Sequence, residues 1–203
     1  MSRHLFTRLA WALVLAGTGW WLQSCTSGEN PGTTPAAGTP TRQWATKINL
    51  TGVPNFYKVS DDLYRGAQPS EEGFRQLEKL GIKTVVNLRS SHSDRDKLEG
   101  INLHYEHIPM KAWRPKDEDV VRFLEIAGDA NLAPVFVHCK RGADRTGLMC
   151  AVYRVAVQDW PKDKAVEEMT KGHYGFYGIW QNLIKYIRKL DIEKIRRQAG
   201  IKD

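Results

Sequence analysis

Residues 134–147 read PVFVHCKRGADRTG, and the reading of this stretch decides the architecture. Val135, Phe136 and Val137 form a short, wholly apolar run, which predicts a central strand covered on both faces. The run ends at His138 and Cys139, a loop with small residues follows, and residues 145–157 read as a helix. Cys139 therefore falls beyond the carboxyl end of a strand, where open α/β sheets keep their ligands.

Upstream, residues 56–65 hold two short strand-like runs around Ser60, Asp61 and Asp62, which predicts a hairpin leading into a turn at residues 66–69. Ser70 is placed to cap a helix that carries Phe74, Leu77 and Leu80 on one face and stops at Gly81. Residues 82–88 form a buried-strand run, residues 93–98 are charged and helix-tolerant, and residues 103–108 predict a further strand. Pro115 and Asp117 open a helix whose apolar positions Val120, Val121, Leu124 and Ala127 recur at helical spacing. After the loop, helices are expected over residues 161–171 and 179–198. Strands alternating with helices predict an α/β fold: a central, mostly parallel sheet of about four to five strands flanked by helices, with a helical C-terminal third.

The N-terminus has a different character. Arg3 and Arg8 precede an apolar run over residues 9–22, short for a membrane span and of signal-peptide length, so residues 1–24 are expected to be a signal peptide. The run ends in Leu22-Gln23-Ser24-Cys25, which resembles the lipobox of bacterial lipoproteins, although Gln23 is not the usual residue there. That resemblance implies lipidation of Cys25 and an exported, membrane-anchored or periplasmic protein. Residues 25–43, rich in Gly, Pro and Thr, read as a flexible tether, and residues 44–203 as one folded domain. The formal charge of +7 suits anionic substrates, and no basic run with interleaved aromatics points to nucleic acid. No Cys/His spacing suggests a metal site, and no internal repeat is present.

The loop itself carries chemistry. Five residues separate Cys139 from Arg145, and Gly142 and Ala143 are small enough for the backbone to curl around one centre. Residues Lys140, Arg141, Gly142, Ala143, Asp144 and Arg145 would then form an oxyanion cradle. The dipole of the following helix assists it and holds Cys139 as thiolate. Arg145 has a planar fork able to grip two phosphoryl oxygens, and Thr146 is placed to donate a hydrogen bond to the departing sulfur. His138 is expected to orient the loop through hydrogen bonds to its backbone. This chemistry needs no metal or other cofactor.

The pattern HC-x-x-G-x-x-R-T-G resembles the signature of the protein tyrosine and dual-specificity phosphatase superfamily, and HCKRGADRTG fits it at every fixed position. Together with LYRGAQPS and LGIKTVVNLR, the domain is similar to the compact dual-specificity-like phosphatases of bacteria, plants and fungi over most of residues 55–190. The resemblance implies a phosphatase domain that hydrolyses phosphate monoesters through a phosphocysteine formed on Cys139. Phosphotyrosine or phosphoserine/threonine protein is the first substrate class implied, and inositol phosphate or phosphoinositide the second.

One departure stands out, because Ala112 occupies the place where such enzymes carry a general-acid aspartate after an Ile-Pro pair, here Ile108-Pro109. Two replacements remain. Asp144 resembles the aspartate at the same loop position in myotubularin-type lipid phosphatases, and its other reading is a brace for the loop. Asp117 lies further along a movable loop, and its other reading is a helix N-cap. The missing aspartate also leaves open a phosphate-binding module without turnover. Lys140 and Arg141 are expected either to reach outward toward a second phosphate or to form a solvated rim. Trp113 reads as a wall for substrate or as loop packing, and Cys150 as core, its other reading being a redox partner for Cys139. Trp160, Tyr174, Phe176, Tyr177 and Trp180 read mainly as packing for the C-terminal helices.

Overall fold

The computed structural model describes residues 43–201. The signal segment, Cys25 and all but the last residue of the tether lie outside the described residues.

The sheet is built on the continuous buried runs of its central strands. The strands are β1 (Thr46–Lys47), β2 (Tyr57–Lys58), β3 (Leu63–Ala67), β4 (Thr84–Asn87), β5 (His104–His107) and β6 (Val135–Cys139), in spatial order β1-β2-β3-β6-β4-β5. The hairpin β2-β3 and the pair β1-β2 are antiparallel, whereas β3, β6, β4 and β5 run parallel. The sheet is therefore mixed and has six strands, beyond the four to five expected. The extra strand is β1, two exposed residues that pair with the β2 edge and carry no apolar period of their own.

All of β6 is buried, as a central parallel strand requires, and its residues alternate between two cores. Val135, Val137 and Cys139 face one core, together with Val86, Phe123 and Leu148. Phe136 faces the other, with Phe74, Leu77 and Val85.

The second core is closed by α1 (Glu71–Lys79) and by a 3-10 turn at Arg95–Leu98. Ser70 caps α1 by accepting from Gly73 N at 3.1 Å. Phe74 and Leu77 are fully buried, but Leu80 is 44% exposed, contrary to the expected single face. Successive steps of three residues each fall about 60° short of a full helical turn, so Leu80 has rotated off the stripe, and it sits beyond the last helical residue.

The first core lies under α2 (Asp117–Gly128), α3 (Asp144–Ala156), α4 (Lys162–Lys171), α5 (Gln181–Lys189) and α6 (Ile192–Gln198). α3 packs against the other four and is buried along nearly its whole length. The single helix expected over residues 179–198 is two helices. Leu190 adopts an extended backbone, and Asp191 starts α6 by accepting from Lys194 N at 3.0 Å.

The two leucines of the α1 pattern separate burial from spacing. Leu77→Ala is expected to lower the unfolding free energy by about 2–5 kcal/mol. Leu80→Ala should leave it within about 0.5 kcal/mol of the parent, both read from urea midpoints at unchanged slope.

Candidate active site

β6 delivers Cys139 to the carboxyl edge of the sheet, 2% exposed, and α3 begins at Asp144. Between them the chain folds back through Gly142, whose φ is 68°. A Cβ at Gly142 would meet the Gly66 carbonyl carbon at 2.3 Å, so the dihedral and the neighbouring strand both demand glycine.

Burial is the largest influence on the Cys139 thiol and pushes its pKa up. The Thr146 hydroxyl, the Thr146 N–H, the Arg145 charge and the Arg141 N–H together outweigh it, and the pKa falls below that of an ordinary thiol. Thr146 is fully buried, its hydroxyl has no hydrogen-bond partner among the described residues, and it is the first of the groups that lower the Cys139 pKa. Arg145 donates from Nη1 to the Leu88 carbonyl at 3.1 Å and has no carboxylate at ion-pair distance among the described residues. Its remaining donors are free for an anion.

Above the sulfur lies a cavity of about 390 Å³, lined by Ser90, Met110, Lys111, Ala112, Trp113, Cys139, Lys140, Arg141, Asp144, Arg145 and Trp180. A larger hollow of about 900 Å³ lies beside α2 and α6, but it is lined by charges of both signs and holds no nucleophile. The chemistry belongs to the smaller one.

The two expected acids part company here. Asp117 lies outside the cavity, with Oδ1 accepting from the Tyr186 hydroxyl at 2.8 Å and Oδ2 paired with Lys194 at 3.2 Å. It is the first residue of α2, not its cap, which is Lys116. The stretch before α2 is tied down as well, since Asn182 donates to the Ala112 carbonyl at 2.7 Å. Asp144 is the only carboxyl group lining the cavity among the described residues. Both its oxygens are engaged: Oδ2 accepts from Arg141 at 3.0 Å and Oδ1 from Tyr177 N at 2.9 Å. Arg141 is thereby held toward Asp144, its guanidinium 5.6 Å from the Tyr177 ring, and both Arg141 and Lys140 are exposed at the rim of the cavity.

His138 also differs from expectation. Alternation along β6 turns its ring away from the loop, into the core beneath α1, where it lies near Phe136 and Phe74. Its Nε2 sits 3.1 Å from Asp94 Oδ2, obliquely, so the contact is an ion-pair distance without hydrogen-bond alignment. Asp94 Oδ1 accepts from Gln68 at 2.7 Å, and Gln68 Oε1 accepts from Arg89 at 2.8 Å. Burial raises the Asp94 pKa, but His138 and Gln68 pull it below the ordinary carboxylate value. This buried chain was not read from the sequence. Gln68 lies in the quoted segment LYRGAQPS, but nothing local marks Asp94 among the charged residues around it.

Trp113 is 63% exposed, forms one wall of the cavity and has the Lys111 ammonium 5.7 Å from its ring. Trp180 forms another wall and Tyr177 is exposed, so these two aromatics are not simply packing. Cys150 is buried, and burial pushes its thiol up to about 11, the opposite of Cys139.

Residues 51–182 match the family described as DSP-PTPase phosphatase fused to NAD+ kinase. The dual specificity protein phosphatase TpbA of Pseudomonas aeruginosa is 35% identical over 70% of this chain and 65% of its own length in strain UCBPP-PA14. In strain PAO1 the figures are 34% identity over 79% of this chain and 72% of that protein. The chain thus spans about two thirds of the length of these curated relatives. The crystal structure of P. aeruginosa TpbA, as a cysteine-to-serine variant in complex with pTyr, superposes with a TM-score of 0.70. It is 32% identical and covers 81% of this chain and 100% of that one. The inositol diphosphatase DSP5 of Arabidopsis thaliana is 32% identical over 60% of this chain and 63% of that protein.

The buried Asp94 carboxylate gives a pH test with a definite sign. Its folded pKa is depressed, so its stabilisation is complete above the ordinary carboxylate value and is lost as the pH falls through the folded value. Asp94→Asn is expected to destabilise by about 1–3 kcal/mol at pH 7. The gap to the parent should close in acid, and a gap that stays constant with pH would contradict the assignment.

Proposed function

The chain belongs to the family of cysteine-dependent, dual-specificity-type protein phosphatases, and from that premise we propose that it hydrolyses phosphotyrosine esters through a phosphocysteine on Cys139. One observation carries this reading: Cys139, its thiol pKa drawn below the ordinary value, and the Arg145 guanidinium, with no carboxylate at ion-pair distance among the described residues, line one cavity. The Cys139 sulfur attacks phosphorus and the bond to the ester oxygen breaks, the departing oxygen taking up a proton. Arg145 and the loop N–H groups carry the charge on the equatorial oxygens. Water then attacks phosphorus, the sulfur–phosphorus bond breaks, and the Thr146 hydroxyl stabilises the returning thiolate.

The flat walls Trp113 and Trp180 suit an aryl ester, which supports phosphotyrosine as substrate. A second reading, hydrolysis of phosphorylated inositols, is supported by Lys111 and Lys140 on the rim and by the activity named for the Arabidopsis relative. Side-by-side turnover of phosphotyrosyl peptides and inositol phosphates discriminates the two.

Asp144, the only carboxyl group lining the cavity among the described residues, is assigned as proton donor to the leaving oxygen. We also read residues 1–24 as an export signal and Cys25 as the lipidated first residue of a membrane-anchored or periplasmic protein, on the strength of Arg3, Arg8 and the following apolar run.

Cys139→Ser is expected to abolish hydrolysis of p-nitrophenyl phosphate, and Arg145→Lys to lower kcat about 10²- to 10³-fold. Measurable turnover by the serine variant would refute the phosphocysteine. Asp144→Asn should slow phenyl phosphate, a poor leaving group, about 10²- to 10⁴-fold while slowing p-nitrophenyl phosphate far less. An equal fall for both esters would mark Asp144 as a brace alone. In a bacterial host fed labelled fatty acid, label and membrane association are expected to disappear in Cys25→Ala, and retention of the label would rule out lipidation there.

A further inference from the structure

The segment LYRGAQ, residues 63–68, supplies none of the reacting groups, yet it holds a buried arginine. Arg65 is 2% exposed, and arginine is almost never so buried unless it is paired. Its Nη2 donates to the Gly142 carbonyl at 2.7 Å, and its guanidinium carbon stacks 3.8 Å from the centroid of the Tyr174 ring. Tyr174 donates its hydroxyl to Glu168 Oε1 at 3.1 Å, and Arg154 holds Glu168 at 2.7 and 2.8 Å. The guanidinium is thus locked in place, and the Gly142 carbonyl is the only protein acceptor it meets among the described residues.

That carbonyl is one of three. The Lys140 carbonyl accepts from Gln68 N at 3.3 Å, and the Arg141 carbonyl from Asn55 Nδ2 at 3.0 Å. None of the three donors lines the cavity above the sulfur, so all three pull from outside it. In a trans peptide the C=O of one residue and the N–H of the next point in opposite directions, and the loop peptides are trans. Drawing carbonyls 140, 141 and 142 outward therefore turns the N–H groups of Arg141, Gly142 and Ala143 inward. The Arg141 N–H is among the groups that lower the Cys139 pKa, as an inward-turned amide would. Gly66 completes the mould, since its backbone lies against Gly142 with no room for a Cβ.

We propose that Arg65, Asn55 and the Gln68 backbone are positioning residues that hold the anion cradle open from behind, by fixing three successive loop carbonyls outward before substrate arrives. The proposal rests on the phosphatase reading above and adds what aims the amides. Arg65 and Asn55 touch neither sulfur nor phosphate. They act through the peptide planes.

The test uses the full-length chain, Arg65→Met and Asn55→Gly. Asn55 has φ 54°, so glycine removes the side-chain donor without straining the backbone. Alkylation of Cys139 by iodoacetamide is followed by peptide mass spectrometry across pH, with and without inorganic phosphate, beside a thermal melt of each protein. In Arg65→Met the apparent pKa of alkylation is expected to rise by about one unit, and the phosphate needed for half-protection about tenfold. Asn55→Gly should shift both in the same direction by less, with both variants folded at the assay temperature. Folded variants that alkylate and are protected like the parent overturn the proposal and leave the phosphatase reading standing. So does a shift seen only in a variant that has melted while Asn55→Gly is unchanged. A parent whose Cys139 titrates as an ordinary thiol, unprotected by phosphate, overturns the phosphatase reading and the proposal with it.

Discussion

A buried sulfur that must be able to carry negative charge at the end of a strand is the constraint around which this domain is arranged. Taking a thiolate out of water disfavours the charge, and at Cys139 burial is the largest single influence. The opposing influence is spread over several donors, each modest alone: a hydroxyl, two backbone amides and a guanidinium. Their sum prevails only because they converge on one atom. Cys150, buried in the same core without such donors, is instead pushed up to about 11, chiefly by burial.

Convergence makes demands on the fold. The loop has to start from a rigid strand, and β6 is flanked by parallel neighbours on both sides and buried throughout. It has to end on the first turn of a helix that cannot shift, and α3 is packed against four others. It also has to lie flush against β3, which is possible because Gly66 and Gly142 meet backbone to backbone. The same contact brings Arg65 and Gln68 to the outer rim of the loop, where its carbonyls need partners.

On the substrate side the cavity is shallow in carboxylates and rich in flat apolar walls. Among the described residues Asp144 alone faces it, braced between Arg141 and Tyr177 N, while Asp117 is occupied by Tyr186 and Lys194 at the far end of a tied-down segment. The one carboxyl group near the sulfur among the described residues therefore sits on the loop itself and not on the segment before α2. The stretch around Ala112 contributes shape, through Met110 and Trp113, and basic charge, through Lys111.

Residues 134–147 by themselves determined the strand, the loop and the helix, because an apolar run, a fixed Cys-to-Arg spacing and a glycine at a tight turn are all local properties of the chain. Local pattern also sufficed for the hairpin at β2-β3, the Ser70 cap and the helix beginning at Asp117. It failed wherever a partner distant in sequence decides the outcome. β1 exists only because β2 offers an edge, Leu80 leaves the core because the helix has rotated, and residues 179–198 break where Asp191 caps a new helix. The side of the sheet faced by His138, the burial of Asp94 beside it and the pinning of the loop by Arg65 and Asn55 were decided by tertiary structure alone. Hydrogen bonds across 77 and 86 residues leave no periodicity behind them, since they are made by folded neighbours and not by adjacent ones.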